Sequence, residues 1–191
     1  MISLGFDPDL HSSGIAIVED NKLQAVALTH VPASVTGTRA CLTNIWSALD
    51  LQLPVMDVES IAIEYPQVYN AAKTKVNVDP MDLIRLTLVA GGASALFSRI
   101  YPIADQAFCL PAEWKGQVPK RVHHKRICEA LDIPYVEQSG KIIPAWPSHT
   151  QVIGRITPSK AQHVLDAIGL ALWARSIPAR RHMVSAISIR S

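Results

Sequence analysis

Three acidic residues stand far apart in the sequence, each in an otherwise apolar run. Asp7 ends the run ISLGFD, Glu64 ends SIAIE, and Asp166 lies within HVLDAIGLALWA. A carboxylate in apolar surroundings is costly to bury unless a cation compensates its charge. We therefore predict that the three side chains converge on one cationic partner, for which a pair of divalent metal ions is the natural choice. Metal-assisted cleavage of a phosphodiester is the chemistry that fits such a site.

The residue types also indicate which metal is used. Carboxylate oxygens favour Mg²⁺, for which Mn²⁺ can substitute, over Zn²⁺. Carboxylates within a few ångströms repel each other by about 4 kcal/mol per pair at an effective dielectric constant near 20, and two ions per site would relieve this repulsion. His163 precedes Asp166 by three residues and shares its face of a predicted helix. It could bind a metal ion, or position or deprotonate the attacking water. The competing interpretation of this polar stripe is the solvent face of an amphipathic helix.

Composition sets further bounds. The chain has 191 residues, 49% of them hydrophobic, which is enough for one substantial core. The net charge is only +2, but two stretches contain basic residues and no acids, at 114–126 and 175–191. Either stretch could contact phosphate or be ordinary solvated surface. No apolar run approaches about 18 residues, so we expect a cytoplasmic protein without a membrane span. The widely spaced cysteines indicate neither a disulfide framework nor a zinc site; they are Cys41, Cys109 and Cys128.

The hydrophobic pattern predicts the order of the elements. Alternating or apolar runs indicate a three-stranded meander at 2–7, 12–19 and 22–31, with a tight turn at 19–21. The other predicted elements are a helix at 36–52, a strand at 60–64, a helix at 79–101, a strand at 106–111, a basic helix at 120–131, an irregular segment at 133–158, and a final helix from Thr157-Pro158 to about 176. This order predicts a mixed α/β sheet flanked by helices. Adjacent glycines at 91 and 92 suggest that another helix or subunit packs closely there.

Four motifs, in this order, resemble those of RuvC-type Holliday junction resolvases. The segment GFDPDLHSSGIAIVED resembles the opening strand and turn of the family, and SIAIEYPQVY its second acidic strand. FCLPAEWKGQVPKRVHHKRI is similar to its strand, Pro, Lys and basic-helix segment. SKAQHVLDAIGLALWA resembles its C-terminal helix, whose acidic pair is H-x-x-D in some members. The resemblance spans nearly the whole chain.

The resemblance implies an RNase H-like fold, a mixed five-stranded sheet flanked by helices, with a nuclease domain at 1–178 and a basic tail at 179–191. It implies a homodimer that resolves Holliday junctions or other branched DNA by paired phosphodiester hydrolysis with two Mg²⁺ ions per site. The implied catalytic and metal-binding residues are Asp7, Glu64, His163 and Asp166. The expected DNA contacts are Lys115, Lys120, Arg121, Lys125, Tyr69 and Lys73.

The sequence departs from the family in two places. Asp9 stands where the family usually has glycine, which adds a negative charge beside the expected metals, although Asp tolerates left-handed backbone better than most residues. The loop after Glu64 is longer, so either Tyr65 or Tyr69 is matched to the aromatic side chain that wedges open the junction. Adjacent helical residues diverge, so the pair at 123–124 (His-His) is expected to face phosphate or solvent.

Two other functions are open. An actin-like ATPase domain shares the core fold and an early Asp, but the sequence lacks a second glycine-rich phosphate loop after a later Asp, and Glu64 would have no role. A non-catalytic junction-binding protein of the same fold would not need the complete acidic set.

Overall fold

A mixed six-stranded sheet runs through the part of the chain that the computed structural model describes, namely residues 1–31, 39–40, 42–43, 45–47, 53–54, 56–66 and 79–177. The strands are β1 (Ile2–Asp7), β2 (Gly14–Glu19), β3 (Lys22–Leu28), β4 (Ser60–Glu64), β5 (Asp105–Cys109), β6 (Tyr135–Gln138), β7 (Lys141–Pro144) and β8 (Gln151–Ile153). The spatial order in the sheet is β5-β4-β1-β2-β3-β8, and β6 and β7 pair separately. The predicted meander is confirmed: β1, β2 and β3 are antiparallel, whereas β4 and β5 run parallel to β1 and β8 runs parallel to β3.

The prediction of five strands and of an irregular segment at 133–158 is wrong. This segment forms the hairpin β6–β7 and then the short edge strand β8, which pairs with residues 25–27 of β3. Ser139 and Gly140 connect the hairpin strands, both with positive φ (51° and 73°), as two-residue hairpin turns require. Prolines beside or within β6 and β7 break the strand pattern, and all three strands are only three or four residues long.

Four complete helices accompany the strands in the described residues: α1 (Pro80–Ile100), α2 (Pro111–Trp114), α3 (Lys120–Ala130) and α4 (Ala161–Ala174). Residues 39–40, 42–43 and 45–47 are also helical, as predicted for 36–52, whose other residues lie outside the description. Helix α1 begins as its sequence suggests, with the Asp79 carboxylate accepting a hydrogen bond from the amide of Met81 and Pro80 in the first turn. Helix α4 begins later than predicted, because residues 158–160 form a turn.

The sheet is covered on both faces. Leu4 and Phe6 of β1 point to the side of α1, where the rings of Phe6 and Phe97 meet edge to face with centroids 5.6 Å apart. On β2 and β3, the side chains that point to the opposite face of the sheet pack against α3 and α4. Because side chains alternate along a strand, Gly5 and Asp7 point to the α4 side.

Helix α1 is long and apolar enough to cross a membrane by length and composition alone. It nevertheless lies against the sheet through Val89, Ala90, Ala93 and Phe97, which are buried in the core. The two adjacent glycines differ in environment. A β-carbon on Gly92 would meet the side chain of Leu42 at 2.5 Å, whereas one on Gly91 would meet nothing within 4 Å. The predicted close helix packing therefore holds for Gly92.

Candidate active site

Two of the predicted acids end neighbouring strands. Parallel strands β1 and β4 pair up to Phe6 opposite Ile63, and Asp7 and Glu64 are the next residues along each strand. Both side chains point to the α4 side of the sheet, because they share the parity of Gly5 and of Ala62, which packs against α4. The strand register therefore brings the two carboxylates to the same edge of the sheet and to the same face.

Two glycines bring α4 to these acids. A β-carbon on Gly5 would lie 1.9 Å from the carbonyl oxygen of Ala167, and one on Gly14 would lie 2.2 Å from that of His163. No side chain fits at either position, so the helix backbone lies directly on β1 and β2. Gly14 is the pairing partner of Asp7 across the antiparallel strands. The first turn of α4 is thereby set next to Asp7.

His163 contacts Asp7 as a result. Its Nδ1 atom lies 3.0 Å from Oδ2 of Asp7. Burial raises the pKa of Asp7, and the hydrogen bond from His163 opposes this shift only in part. The same hydrogen bond raises the pKa of His163. Asp7 is buried and His163 is partly exposed, so the imidazole links the carboxylate to the solvent side of the site.

Glu64 is held from the other side by α2 and the residue that follows it. The indole Nε1 of Trp114 donates a hydrogen bond to Oε2 of Glu64 at 2.8 Å. The Nζ atom of Lys115 lies 3.7 Å from the same oxygen and 4.8 Å from the centroid of the Trp114 ring. Burial, followed by the charge of Asp7, raises the pKa of Glu64 to about 7 despite Lys115. The carboxyl of Glu64 therefore titrates near neutral pH.

Asp166 is buried, with 3% of its surface exposed, which excludes the solvent-face interpretation for this residue. Its Oδ1 atom lies 2.8 Å from Nε2 of His124 and its Oδ2 atom 2.5 Å from Nζ of Lys120. Burial alone would raise the pKa of Asp166, but His124 and Lys120 together lower it. Burial alone would lower the pKa of Lys120, but the attraction of Asp166, together with that of Asp7 and Glu64, raises it.

The three carboxylates share one electrostatic environment. The charge of Asp166 raises the pKa of both Asp7 and Glu64, and Asp7 raises that of Glu64. Lys120 attracts Asp7 as well as Asp166. The structure thus brings together the four residues predicted for the site, including His163, while their catalytic roles stay predictions.

Two site residues were missed or misread from the sequence. Trp114, the partner of Glu64, stands at the start of the basic stretch at 114–126, and no sequence pattern connects it to Glu64. His124 was predicted to face phosphate or solvent, which is wrong: it is fully buried and contacts Asp166. The available signal was its spacing of four residues from Lys120, which puts both on one face of α3. Its neighbour His123 packs edge-on against Trp114, with ring centroids 4.9 Å apart.

The expected DNA contacts fall into three groups. Lys115 and Lys120 lie at the acidic centre itself. Arg121 and Lys125 lie on the exposed side of α3, where Arg121 pairs with both oxygens of Glu137 on β6 and Lys125 lies 3.8 Å from Glu129. The remaining predictions lie outside the described residues; they are Tyr69, Lys73 and the basic tail at 179–191.

Tyr65 follows Glu64 directly and is 44% exposed. Its ring meets that of Phe108 on β5 edge to face, with centroids 5.9 Å apart.

Asp9 lies in the turn after β1, where the resemblance to the family leads one to expect a glycine. Its backbone is not in the left-handed region that favours glycine. Its Oδ1 atom accepts hydrogen bonds from the amides of His11 and Ser12, both at 2.8 Å, so its carboxylate organises the turn.

The carboxylate oxygens at the site are the type of donor atom that magnesium prefers. Asp7, Glu64 and Asp166 offer carboxylate oxygens, and the raised pKa values of the first two reflect burial and mutual repulsion that a divalent cation would relieve. Among the described residues, no three His, Cys, Asp or Glu side chains are grouped tightly enough to hold an ion. The side chains of Lys120, Lys115 and His163 supply the compensating contacts instead.

Comparison with solved structures identifies the architecture. The chain superposes on a Thermus thermophilus RuvC structure with a TM-score of 0.61 and 15% identity, covering 95% of this chain and 97% of that one. It also superposes on T. thermophilus RuvC in complex with Holliday junction substrate, with a TM-score of 0.58 and 13% identity, covering 90% of each chain. The chain has the RuvC fold. Sequence comparison adds nothing, since no protein-family model and no curated protein matches the chain.

Proposed function

We propose that the protein is a divalent-metal-dependent endonuclease that cleaves Holliday junctions or other branched DNA. The observation that carries the proposal is the convergence of Asp7, Glu64, His163 and Asp166 at one edge of a sheet with the RuvC fold. One of the similar structures is a complex with Holliday junction substrate, and we extend that substrate class to this chain.

The three carboxylates would hold Mg²⁺, or Mn²⁺ in its place. When bound, the ions would supply Lewis-acid activation of the scissile phosphate and of water, and stabilise the leaving oxygen. The side chains of this protein set up that chemistry. Trp114 fixes one oxygen of Glu64 through its indole N–H, and His163 is placed to take a proton at its imidazole while Asp7 holds the ring.

Lys115 and Lys120 are proposed to contact the phosphates of the DNA. Lys120 is 46% exposed even though its ammonium group pairs with Asp166, so one side of it remains accessible. Both lysines border the acids at which the scissile phosphate would be held. A cation in this position offsets the repulsion between the DNA backbone and the carboxylates. Arg121 and Lys125, farther along α3, would extend the contact along the same helix.

A second copy of the chain is proposed to pack on α1. Three large apolar side chains form an exposed stripe on this helix, with Met81, Ile84 and Leu88 exposed by 50%, 52% and 56%. The stripe continues at four-residue spacing to Gly92 and Leu96. These two residues border an apolar groove of about 570 Å³, which is also lined by Arg39, Leu42, Thr43 and Trp46. A symmetric dimer would present two active sites to one four-way junction.

A non-catalytic junction-binding protein is the second candidate. Two observations favour it. No three of the described His, Cys, Asp and Glu side chains form a group that could hold an ion, and the ammonium group of Lys120 pairs with the carboxylate of Asp166. For either function we expect a soluble protein of the cytoplasm. An ATPase gains no support from the described residues.

The experiment that separates these candidates uses purified protein and a labelled four-way DNA junction, with a linear duplex of the same sequence as control. Paired nicks in the junction that require Mg²⁺ or Mn²⁺ and disappear with EDTA would support the nuclease. Tight junction binding without nicks in either metal would support the non-catalytic candidate.

A further inference from the structure

The two oxygens of Asp166 are held by two residues on one face of α3. Oδ2 contacts the ammonium group of Lys120, which is half exposed, and Oδ1 contacts the imidazole of His124, which is fully buried. The two contacts differ in what can replace them. An ion entering from solvent can displace the flexible lysine, whereas the His124 contact lies on the core side of the carboxylate.

The surroundings of His124 indicate that an imidazole is needed here for the contact with Asp166. Its Nε2 atom lies 2.8 Å from Asp166, whereas its Nδ1 atom is buried and has no hydrogen-bond partner among the described residues. A buried polar atom without a partner is destabilising. An apolar side chain would fill the same space without that penalty, so packing alone does not explain an imidazole here. A carboxylate only accepts hydrogen bonds, so Nε2 is the donor and carries the proton.

We propose that His124 is a positioning residue that fixes Asp166 through Oδ1, so that Oδ2 stays directed to the site and can exchange Lys120 for a divalent cation. The inference rests on the proposed function, and it adds a residue outside the four predicted for the site. Contacts of this kind behind a metal ligand are typically worth a factor of 10–100 in metal affinity.

Three variants test the proposal through the binding of Mn²⁺ to the whole chain, measured by titration calorimetry or by the EPR signal of free Mn²⁺. His124→Phe keeps a ring but loses the donor, and we expect its Mn²⁺ affinity to fall about 10–100-fold. His124→Gln places an amide N–H near the position of Nε2, and we expect most of the affinity to return. His123→Phe is the matched control, because this neighbouring imidazole packs on Trp114 and makes no hydrogen bond to Asp166; we expect wild-type affinity.

A double-mutant cycle with Asp166→Asn separates positioning from a general structural role. If His124 acts through Asp166, then His124→Phe costs no further affinity once Asp166 is replaced. Equal losses in both backgrounds would overturn the proposal, as would wild-type affinity in His124→Phe. Circular dichroism and thermal unfolding confirm that each variant is folded.

A measurement on the wild-type protein tests the same contact and does not depend on whether the His124 variants fold. NMR of the imidazole nitrogens should show the proton of His124 on Nε2, both without metal and with Mg²⁺. A proton on Nδ1 alone would contradict the hydrogen bond.

The same preparations, tested on the four-way junction, separate this inference from the proposed function. His124-dependent Mn²⁺ binding without nicking would remove the nuclease and leave the inference intact. Nicking with no dependence of Mn²⁺ binding on His124, or no Mn²⁺ binding by the wild type, would overturn the inference.

Discussion

The carbonyl oxygen of His163 lies directly over Gly14, 2.2 Å from the position that a β-carbon on that glycine would occupy. This contact sets the first turn of α4 on the strand next to Asp7, and so determines where the imidazole of His163 reaches the carboxylate. The site therefore depends on a residue without a side chain.

Gly14→Ala should destabilise the protein by about 1–3 kcal/mol, because the methyl group forces the strand and helix apart. Gly91→Ala is the matched control. Its methyl group would meet nothing within 4 Å, and alanine is favoured over glycine in a helix by up to about 1 kcal/mol. Urea unfolding measures both changes. Wild-type stability in Gly14→Ala would show that α4 does not lie as close to β2 as described.

Glu64 should make the stability of the metal-free protein fall as the pH rises. Its pKa is about 7 in the folded protein, compared with an ordinary value of 4.5. Between these two values the unfolded chain releases the proton and the folded protein retains it, so the free energy of unfolding decreases with pH. The decrease from Glu64 is complete above pH 7 and amounts to about 3 kcal/mol.

Glu64→Gln isolates this contribution, because the amide does not titrate and its oxygen can still accept the hydrogen bond from Trp114. In EDTA, the variant and the wild type should have similar stability below pH 4.5, and the variant should be the more stable at pH 8. Chemical denaturation at a series of pH values checks this. A constant difference across the range would mean that the pKa of Glu64 is not raised.

Leu88→Glu should convert a dimer into a monomer, because the charge falls in the middle of the exposed apolar stripe on α1. Light scattering coupled to gel filtration gives the mass of each species. Ile103→Glu is the control, since Ile103 is 80% exposed but lies beyond the end of the helix. Dimers in both variants, or a monomeric wild type, would rule out α1 as the dimer contact.

Lys120→Met should weaken junction binding and reduce its dependence on salt. A lysine that contacts phosphate contributes about one unit to the slope of log affinity against log salt concentration. Lys22→Met is the control, because Lys22 starts β3 opposite Glu19, at the other end of the sheet from Asp7 and Gly14. Fluorescence anisotropy in EDTA measures binding without cleavage. An unchanged slope in Lys120→Met would exclude a phosphate contact.

The sequence predicts the fold class and the element on which each acid lies. Apolar strands that end in Asp7 and Glu64 bring the two carboxylates to one sheet edge only if the strands are neighbours, and the parallel pairing of β1 with β4 meets this condition. The spacing of His163 and Asp166 predicts a shared helix face. The shared helix face needs only regular helix geometry, whereas the adjacency of the two strands does not follow from local pattern.

The side chains that contact the acids cannot be predicted from local sequence patterns. Trp114 and Glu64 are 50 residues apart, and His124 and Asp166 are 42 apart. Their contacts depend on how α2 and α3 cross α4, which no local pattern specifies. The same applies to β8, three residues whose pairing with β3 is decided by the free edge of the sheet.

The most direct test of the account compares wild type, Asp7→Asn and Asp132→Asn on the labelled four-way junction in Mg²⁺. Asp132 is an exposed residue with φ of 51°, a conformation that Asn also tolerates, and it lies outside the site. We predict paired nicks by wild type and Asp132→Asn, and junction binding without nicks by Asp7→Asn. Nicking by Asp7→Asn at the wild-type rate would contradict the claim that these acids form the nuclease site.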